Sequence, residues 1–278
     1  MRKVLKHGRL GTGISYLYLS ILSIVAVFPL LWIFISSLKT AEELTSSNSF
    51  FPKEITFENY LNVVNYLHLD INIKNSIIIT VIATIIAVFI SALGAYGIVR
   101  YFPRFGALMT KIMITMYMLP PILLAIPYLI IMSNLNLANT FTGLIIVFLS
   151  FSVPFAIWLL VGFFQTVPLE VEEAATIDGA NRFKVFYQIA LPIAAPGIVA
   201  TALFTFINTW NEFLFSLILI NSQEKMPVSV ALYSLKGSET FEWGAMMAAS
   251  FLVVIPTIIF FMLIQKKIAG GLAQGSIK

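Results

Sequence analysis

Very few side chains in this 278-residue sequence could carry covalent chemistry. Cysteine is absent, which excludes disulfides, thiolate nucleophiles and cysteine metal sites. The two histidines, His7 and His68, stand far apart without ligand spacing, and neither a His-based zinc motif nor G-x-S-x-G occurs. A phosphate-cradling G-x-x-x-x-G-K-[ST] loop is missing, and the glycines form no dinucleotide fingerprint. No catalytic residue, metal ligand or cofactor is therefore expected in this chain, nor a nucleotide site of its own. What remains is an acid in unusual company. Glu212 lies in Asn208-Thr209-Trp210-Asn211-Glu212-Phe213, inside an apolar stretch. A carboxylate at membrane depth costs about 2.5–3.5 kcal/mol on insertion scales, so it must face protein or water. On a helix, Asn208, Asn211 and Glu212 share a face, with Trp210 about 100 degrees from its neighbour. Polar groups beside an aromatic plate suit the hydroxyls and ring of a sugar; they also suit a helix-to-helix hydrogen-bond network.

The second informative stretch is a polar island, Glu173-Ala174-Ala175-Thr176-Ile177-Asp178-Gly179, followed after nine residues by Ile189-Ala190-Leu191-Pro192. Its spacing predicts a helix: Ala174, Ile177 and Asn181 recur at three and four, as do Glu170, Glu173 and Ile177. Ala174 and Ala175 favour a helix and present little bulk, so another surface could approach closely. Gly179 costs roughly 1 kcal/mol inside a helix relative to Ala, and marks a bend or a close backbone approach. Pro192 suits the first turn of a following helix, and Pro196 does so only if that helix starts late or is kinked. Such a helix could hand force from a soluble partner to the membrane part, or could simply lie against lipid headgroups.

Composition decides what must position these groups. The chain is 59% hydrophobic and 11% charged, with a mean hydropathy of +0.93. Soluble domains average roughly 45–50% apolar and about 25% charged, so this surface is not built for water. Residues 112–169 contain no Asp, Glu, Lys or Arg, room for two crossings of about 20 residues each. Six spans are predicted: Ile14–Leu38, Asn75–Val99, Ile112–Met132, Phe141–Phe164, Ile193–Ile220 and Gly244–Gln265. The first run is too long for a signal peptide and lacks a convincing cleavage site, so it is expected to stay attached. Ser91 and Ala95, with Gly94 and Gly97 nearby, offer a small face for close helix contact. Pro120, Pro121 and Pro127 predict a broken or strongly kinked third span whose freed carbonyls line a cavity or meet partners inside the protein. Tyr117 and Met118 on that span are further candidates for a solute pathway.

The net charge of +4 reflects topology rather than nucleic-acid binding, because the basic residues flank apolar runs instead of forming a stripe. With both termini cytoplasmic, the inner segments hold 12 Lys and Arg against five outside, and the polar island faces inward. The expected layout is a cytoplasmic tail (1–13), one transmembrane domain (14–265) and a cytoplasmic tail (266–278). Within the domain, 39–74 and 221–243 are external loops and 165–191 is a cytoplasmic loop.

E-A-A-x-x-x-G, nine residues and I-x-L-P resemble the signature loop of the permease subunits of bacterial ABC importers. Further likenesses are Pro29-Leu30-Leu31-Trp32, Ser37-Leu38-Lys39, Pro168 with Glu170 ahead of the island, the N-T-W-N-E-F segment and the tail Gly271-Leu272-Ala273-Gln274-Gly275-Ser276-Ile277-Lys278. Together they resemble the carbohydrate-uptake branch, its MalG-like half of a two-permease pore, over nearly the whole chain. The resemblance implies an all-α polytopic membrane protein of six transmembrane helices, with a cytoplasmic coupling helix between spans four and five. It places Glu170, Glu173, Ala174, Ala175, Asp178, Gly179, Leu191 and Pro192 at the contact with the ATPase, and lends importance to Asn208, Trp210, Asn211 and Glu212. It implies a second, MalF-like permease, two ATPase subunits holding ATP and Mg2+, an extracytoplasmic sugar-binding protein and a sugar substrate, in a bacterial cytoplasmic membrane. A permease for another solute, such as a glycerol phosphate, would be expected to line its path with cations. An ion-coupled secondary transporter would need an inverted repeat. No Lys or Arg lies well inside a predicted span, and the spans show no evident internal repetition.

Overall fold

The computed structural model describes residues 9–46, 49–65, 67–236 and 243–275; Arg2, Lys3, Lys6 and Lys278, counted above toward the cytoplasmic charge, lie outside that range. In chain order the helices are α1 (Arg9–Ser37), α2 (Ala41–Ser46), α3 (Glu58–Asn65), α4 (Leu69–Arg100), α5 (Pro103–Tyr117), α6 (Ile122–Asn134) and α7 (Phe141–Phe164). They continue with α8 (Leu169–Ile177), α9 (Arg182–Val185), a π-turn (Phe186–Ala190), α10 (Leu191–Ile193), α11 (Ala195–Trp210), α12 (Leu214–Leu219), α13 (Val228–Lys236) and α14 (Trp243–Gly275). The described residues contain no strand. Among the described residues four stretches are long and apolar enough to cross a membrane: Thr12–Ser37, Leu69–Arg100, Phe141–Phe164 and Trp243–Gln265. Two further pairs are bent, α5 against α6 by 100° and Arg182–Ile193 against α11 by 75°; counting each as one span gives up to six.

The bends fall where the backbone cannot continue its ladder. Between α5 and α6 stand Pro120 and Pro121, which have no N–H to give, whereas Pro127 is carried inside α6. The predicted third span is thus broken at its first two prolines, and its first arm begins at Pro103, ahead of the expected Ile112. The predicted continuous fifth span, Ile193–Ile220, is corrected in the same way: α11 stops at Trp210 and α12 restarts at Leu214. Glu212 lies in that gap. The second span starts earlier than Asn75, because Asn72 and Asn75 spend their side chains on the carbonyls of Met226 and Glu224 (both 2.8 Å). Residues expected as a polar tail continue α14 as far as Gly275, and the expected loop 221–243 contains α13.

The chain forms two compact units, Met1–Leu69 with Leu235–Val254, and Asp70–Ser234 with Ile255–Lys278. In the first, α3 closes the open end of α1. The buried Asn59 amide donates to the carbonyls of Ser37 and Lys39 (both 2.8 Å), and the Tyr60 hydroxyl meets the Ser37 hydroxyl at 2.6 Å. These partners satisfy carbonyls that a helix end leaves free. Gly244 lies against Asn59, where any side chain would intrude. Along α1, Ile14, Leu17, Leu22 and Ile24 are exposed, as suits a helix apolar all round and solvated by lipid.

In the second unit, the small face foreseen on α4 packs against α7: the Ser91 hydroxyl reaches the Val153 carbonyl at 3.3 Å, and a methyl at Gly94 would touch Ile157 at 3.2 Å. One buried cluster gathers Ala95, Tyr96, Leu160, Phe164 and Phe186; another gathers Ile79, Leu144, Val147, Phe215 and Leu219. The α7–α11 crossing is closest at Gly197, whose missing side chain leaves room for the Phe163 ring.

Gly197→Ala should therefore overpack this crossing and cost about 1–3 kcal/mol. Gly97→Ala, where a methyl meets nothing within 4 Å, should stay within about 1 kcal/mol of the unaltered chain. Thermal unfolding of both variants in one detergent checks the contrast.

Candidate functional site

The polar island folds as α8, and its faces are sharply divided. Glu170, Glu173, Ala174, Ile177 and Asp178 point outward, with Ile177 87% exposed, and Ala175 is half-buried. Inward points Glu172, a residue that the sequence reading passed over. Its carboxylate accepts from the Tyr96 hydroxyl (2.8 Å) and from Nε and Nη2 of Arg100 (2.9 and 2.7 Å). Arg100 Nη2 also donates to the Val167 carbonyl at 2.7 Å. This buried ion pair and its two further hydrogen bonds fasten α8 to the last turns of α4. The available signal was spacing: Tyr96 and Arg100 are four apart on one helix face, and Leu169, Glu172 and Thr176 repeat at three and four on another.

The end of α8 explains Gly179. The amide of Gly179 donates to the Thr176 carbonyl (3.0 Å) and that of Ala180 to Ala175 (2.9 Å), which is a Schellman closure. It requires the left-handed φ of +86° found at Gly179, which glycine adopts without steric cost. The bend foreseen for this glycine is present, and within the chain nothing lies within 4 Å of a Cβ placed there. The turn also removes Asn181 from the predicted helical face. It becomes the N-cap of α9, accepting from the Lys184 amide at 2.9 Å. Leu191 and Pro192 stand apart from the exposed face of α8: Leu191 packs on the Phe164–Phe186 cluster, and Pro192 is exposed in α10. Pro192 has no N–H for the Gln188 carbonyl and its ring crowds that oxygen, so the turn before it widens into the π-turn. The Arg182 guanidinium lies over the Tyr101 ring at 5.2 Å, a second tie to the α4–α5 corner. Between α4 and α8–α9 opens a cavity of about 500 Å3 bordered by Arg100, Tyr101, Glu173, Ile177 and Arg182.

The other candidates sort around a second cavity of about 350 Å3 between α7 and α11. Tyr117, Asn208 and Glu212 line it; Met118, Trp210 and Asn211 do not. Met118 is exposed in the α5–α6 break, and Asn211 is exposed with its amide bonded back to Ile207. Trp210 is buried and lies nearly parallel to Phe206 (centroids 6.0 Å), which stacks on Phe260 at 3.8 Å. The aromatic wall comes instead from Phe151, Phe155, Phe204 and Phe215, with Phe155 stacked on Phe204 at 4.0 Å and beside Tyr117 at 5.0 Å. Glu212 serves the backbone: its carboxylate accepts from the amides of Phe215 (2.8 Å) and Ser216 (3.0 Å) and from the Ser216 hydroxyl (3.0 Å). It thereby caps α12, where a negative charge is also favoured by the helix dipole. The Ser229 hydroxyl donates to the Glu212 carbonyl at 2.7 Å, tying the break to α13. Among the described residues no group of acids and histidines could hold a metal ion.

Known proteins are similar to this chain over most of its length. Residues 87–273 match the family described as "Binding-protein-dependent transport system inner membrane component". The diacetylchitobiose uptake system permease protein NgcG of Streptomyces coelicolor is 32% identical over 100% of this chain and 92% of its own length. The trehalose transport system permease protein SugB of Mycobacterium tuberculosis is 35% identical over 91% and 93%, respectively. In fold, the chain is similar to one from a crystal structure of a bacterial ABC transporter involved in the import of the acidic polysaccharide alginate. The TM-score is 0.76 at 24% identity, covering 96% of this chain and 99% of that one. The chain belongs to the binding-protein-dependent transport system inner membrane component family and is a non-catalytic permease subunit of an ABC importer.

Proposed function

We propose that this permease serves the ATP-driven, binding-protein-dependent import of a sugar or oligosaccharide, and that α8 is its coupling helix. The anchored geometry of α8 carries this reading: a short helix, fixed from behind by Glu172 and Arg100, offers Glu170, Glu173, Ala174 and Ile177 to a partner. A push on that face passes through the ion pair into α4. The identity to permeases of diacetylchitobiose and trehalose uptake supports sugar as cargo. Six spans are made in this reading by the four long helices, the bent α5–α6 pair, and α11 with α12 after the cytoplasmic stretch that ends at Leu191. Both termini and 165–191 are cytoplasmic, and 39–74 and 221–243 are external, as the distribution of Lys and Arg favours. A second, different permease completes the pore. Two ATPase subunits hold ATP and Mg2+, and an extracytoplasmic binding protein delivers the sugar. Tyr117, Asn208 and Glu212 border the solute pathway in this chain.

Purification of the tagged chain in mild detergent should bring down another permease and an ATPase whose hydrolysis rises with one sugar-loaded binding protein. Isolation of this chain alone, active in vesicles without ATP, would sink the reading. Glu172→Ala and Arg100→Ala each leave a buried charge unpaired and should lower stability by about 3–5 kcal/mol. The double variant should lose less than the sum, while stimulation of ATP hydrolysis by the loaded binding protein disappears in all three. Thermal unfolding combined with an ATPase assay measures both. At Gly179 the left-handed backbone costs an ordinary L-residue about 1–2 kcal/mol. Gly179→Val should cut uptake at least tenfold with the chain still inserted, and Gly179→Asn should retain more; normal uptake in the valine variant would remove this turn from the coupling site.

A further inference from the structure

The α7–α11 cavity contains an observation that the fold leaves unexplained. Thr201, Thr205 and Thr209 recur every four residues along α11. Thr201 satisfies its hydroxyl in the usual helical way, donating to the Gly197 carbonyl at 2.8 Å. Thr205 and Thr209 do not. They are 1% and 6% exposed, their hydroxyl oxygens have no hydrogen-bond partner, and both line the cavity. Thr84, the remaining such residue among those described, does not line it. Buried hydroxyls are ordinarily paired, and two left open on one cavity mark a place where a ligand supplies the partners.

The surroundings specify that ligand. On the same cavity stand the stacked Phe155, from α7, and Phe204, next to Thr205 on α11, with Tyr117 beside Phe155. A sugar ring has apolar C–H faces and a rim of hydroxyls, so it suits both kinds of group. The volume, about 350 Å3, is near the lower end of ligand pockets, which span roughly 300–1,000 Å3. That size suits one ring rather than a chain of them. Charge sets a further limit: Glu212 lines the cavity, and no Lys or Arg does. Its oxygens are given to the α12 amides, and no cation stands beside it among the lining residues. A uronate, sulfonate or phosphate would find no counter-charge here.

We propose that this cavity is a subsite for a single neutral sugar ring, whose hydroxyls are read by Thr205 and Thr209 and whose flat face rests on the Phe155–Phe204 stack. The inference rests on the sugar-import reading above and narrows it to neutral cargo held by this half of the pore.

Because the chain has no cysteine, Thr205→Cys and Thr209→Cys each give it one labelling position. In the assembled transporter in lipid nanodiscs, the rate of N-ethylmaleimide modification is followed on this chain with maltose, trehalose, diacetylchitobiose or glucuronate, in parallel with ATPase stimulation by the binding protein. At least one neutral sugar should slow modification fivefold or more, and glucuronate should not. Equal protection by glucuronate overturns the charge selectivity. Stimulation of ATP hydrolysis by a neutral sugar without protection at either position overturns the subsite and leaves sugar import standing. If none of the sugars stimulates hydrolysis, sugar import itself fails and the subsite with it. The double variant Thr205→Val/Thr209→Val preserves shape and removes only the hydroxyls. It should raise the half-saturation for uptake at least tenfold with the thermal midpoint of the complex unchanged or higher. Unaltered uptake, or a fall in the midpoint matching the loss of uptake, overturns the role of the hydroxyls in binding.

Discussion

The hydrogen-bonded ion pair between Glu172 and Arg100 governs what α8 can do. A helix of nine residues is well below the length of about 12–15 at which isolated helices become even marginally stable in water. Its existence and direction therefore depend on what holds it from behind. Here that is one carboxylate shared by Tyr96 and Arg100, with Arg100 also reaching the Val167 carbonyl at the entry to α8. A buried ion pair is weak evidence for stability, since desolvation offsets most of its attraction. Its value here lies in geometry: the planar guanidinium and the carboxylate admit few arrangements, which fixes α8 in one orientation against α4.

The same economy of polar groups runs through the apolar remainder. Where a helix breaks in a lipid-solvated chain, the freed N–H and C=O groups must find partners inside the protein. Pro120 and Pro121 reduce the demand by having no N–H. Glu212 meets it with a carboxylate on the first amides of α12. Asparagine meets it elsewhere: Asn59 closes α1, Asn72 and Asn75 hold the segment before α13, and Asn139 accepts from Ser222 while Lys225 donates to its carbonyl. A short amide gives and accepts without carrying charge, which makes it a suitable staple at the edges of an apolar slab.

Glu212, for which the sequence alone offered a solute pathway or a structural network, bonds to the amides of α12, and the same side chain borders the α7–α11 cavity. A single buried acid can both fix a helix break and border the space beside it, because its oxygens bond to backbone amides while its side chain still lines the cavity.

Composition and order along the chain already determined much of this protein. Long uncharged runs required membrane helices, the adjacent Pro120 and Pro121 required a break between α5 and α6, and the E-A-A-x-x-x-G island marked a helix ending in a glycine turn. These were legible because each depends on local chemistry: hydropathy, a missing N–H, a left-handed φ. The tertiary structure decided what depends on residues distant in sequence. Glu172 reads like its neighbours Glu170 and Glu173 until Tyr96 and Arg100, more than seventy positions earlier, are brought beneath it. Trp210 reads as the aromatic plate of a pathway, yet it lies against Phe206, which stacks on Phe260, and the cavity's aromatic wall includes Phe155 and Phe204. Helical spacing fixes which residues share a face, but only packing decides which face meets a cavity, and that is why Thr205 and Thr209 became visible only in three dimensions.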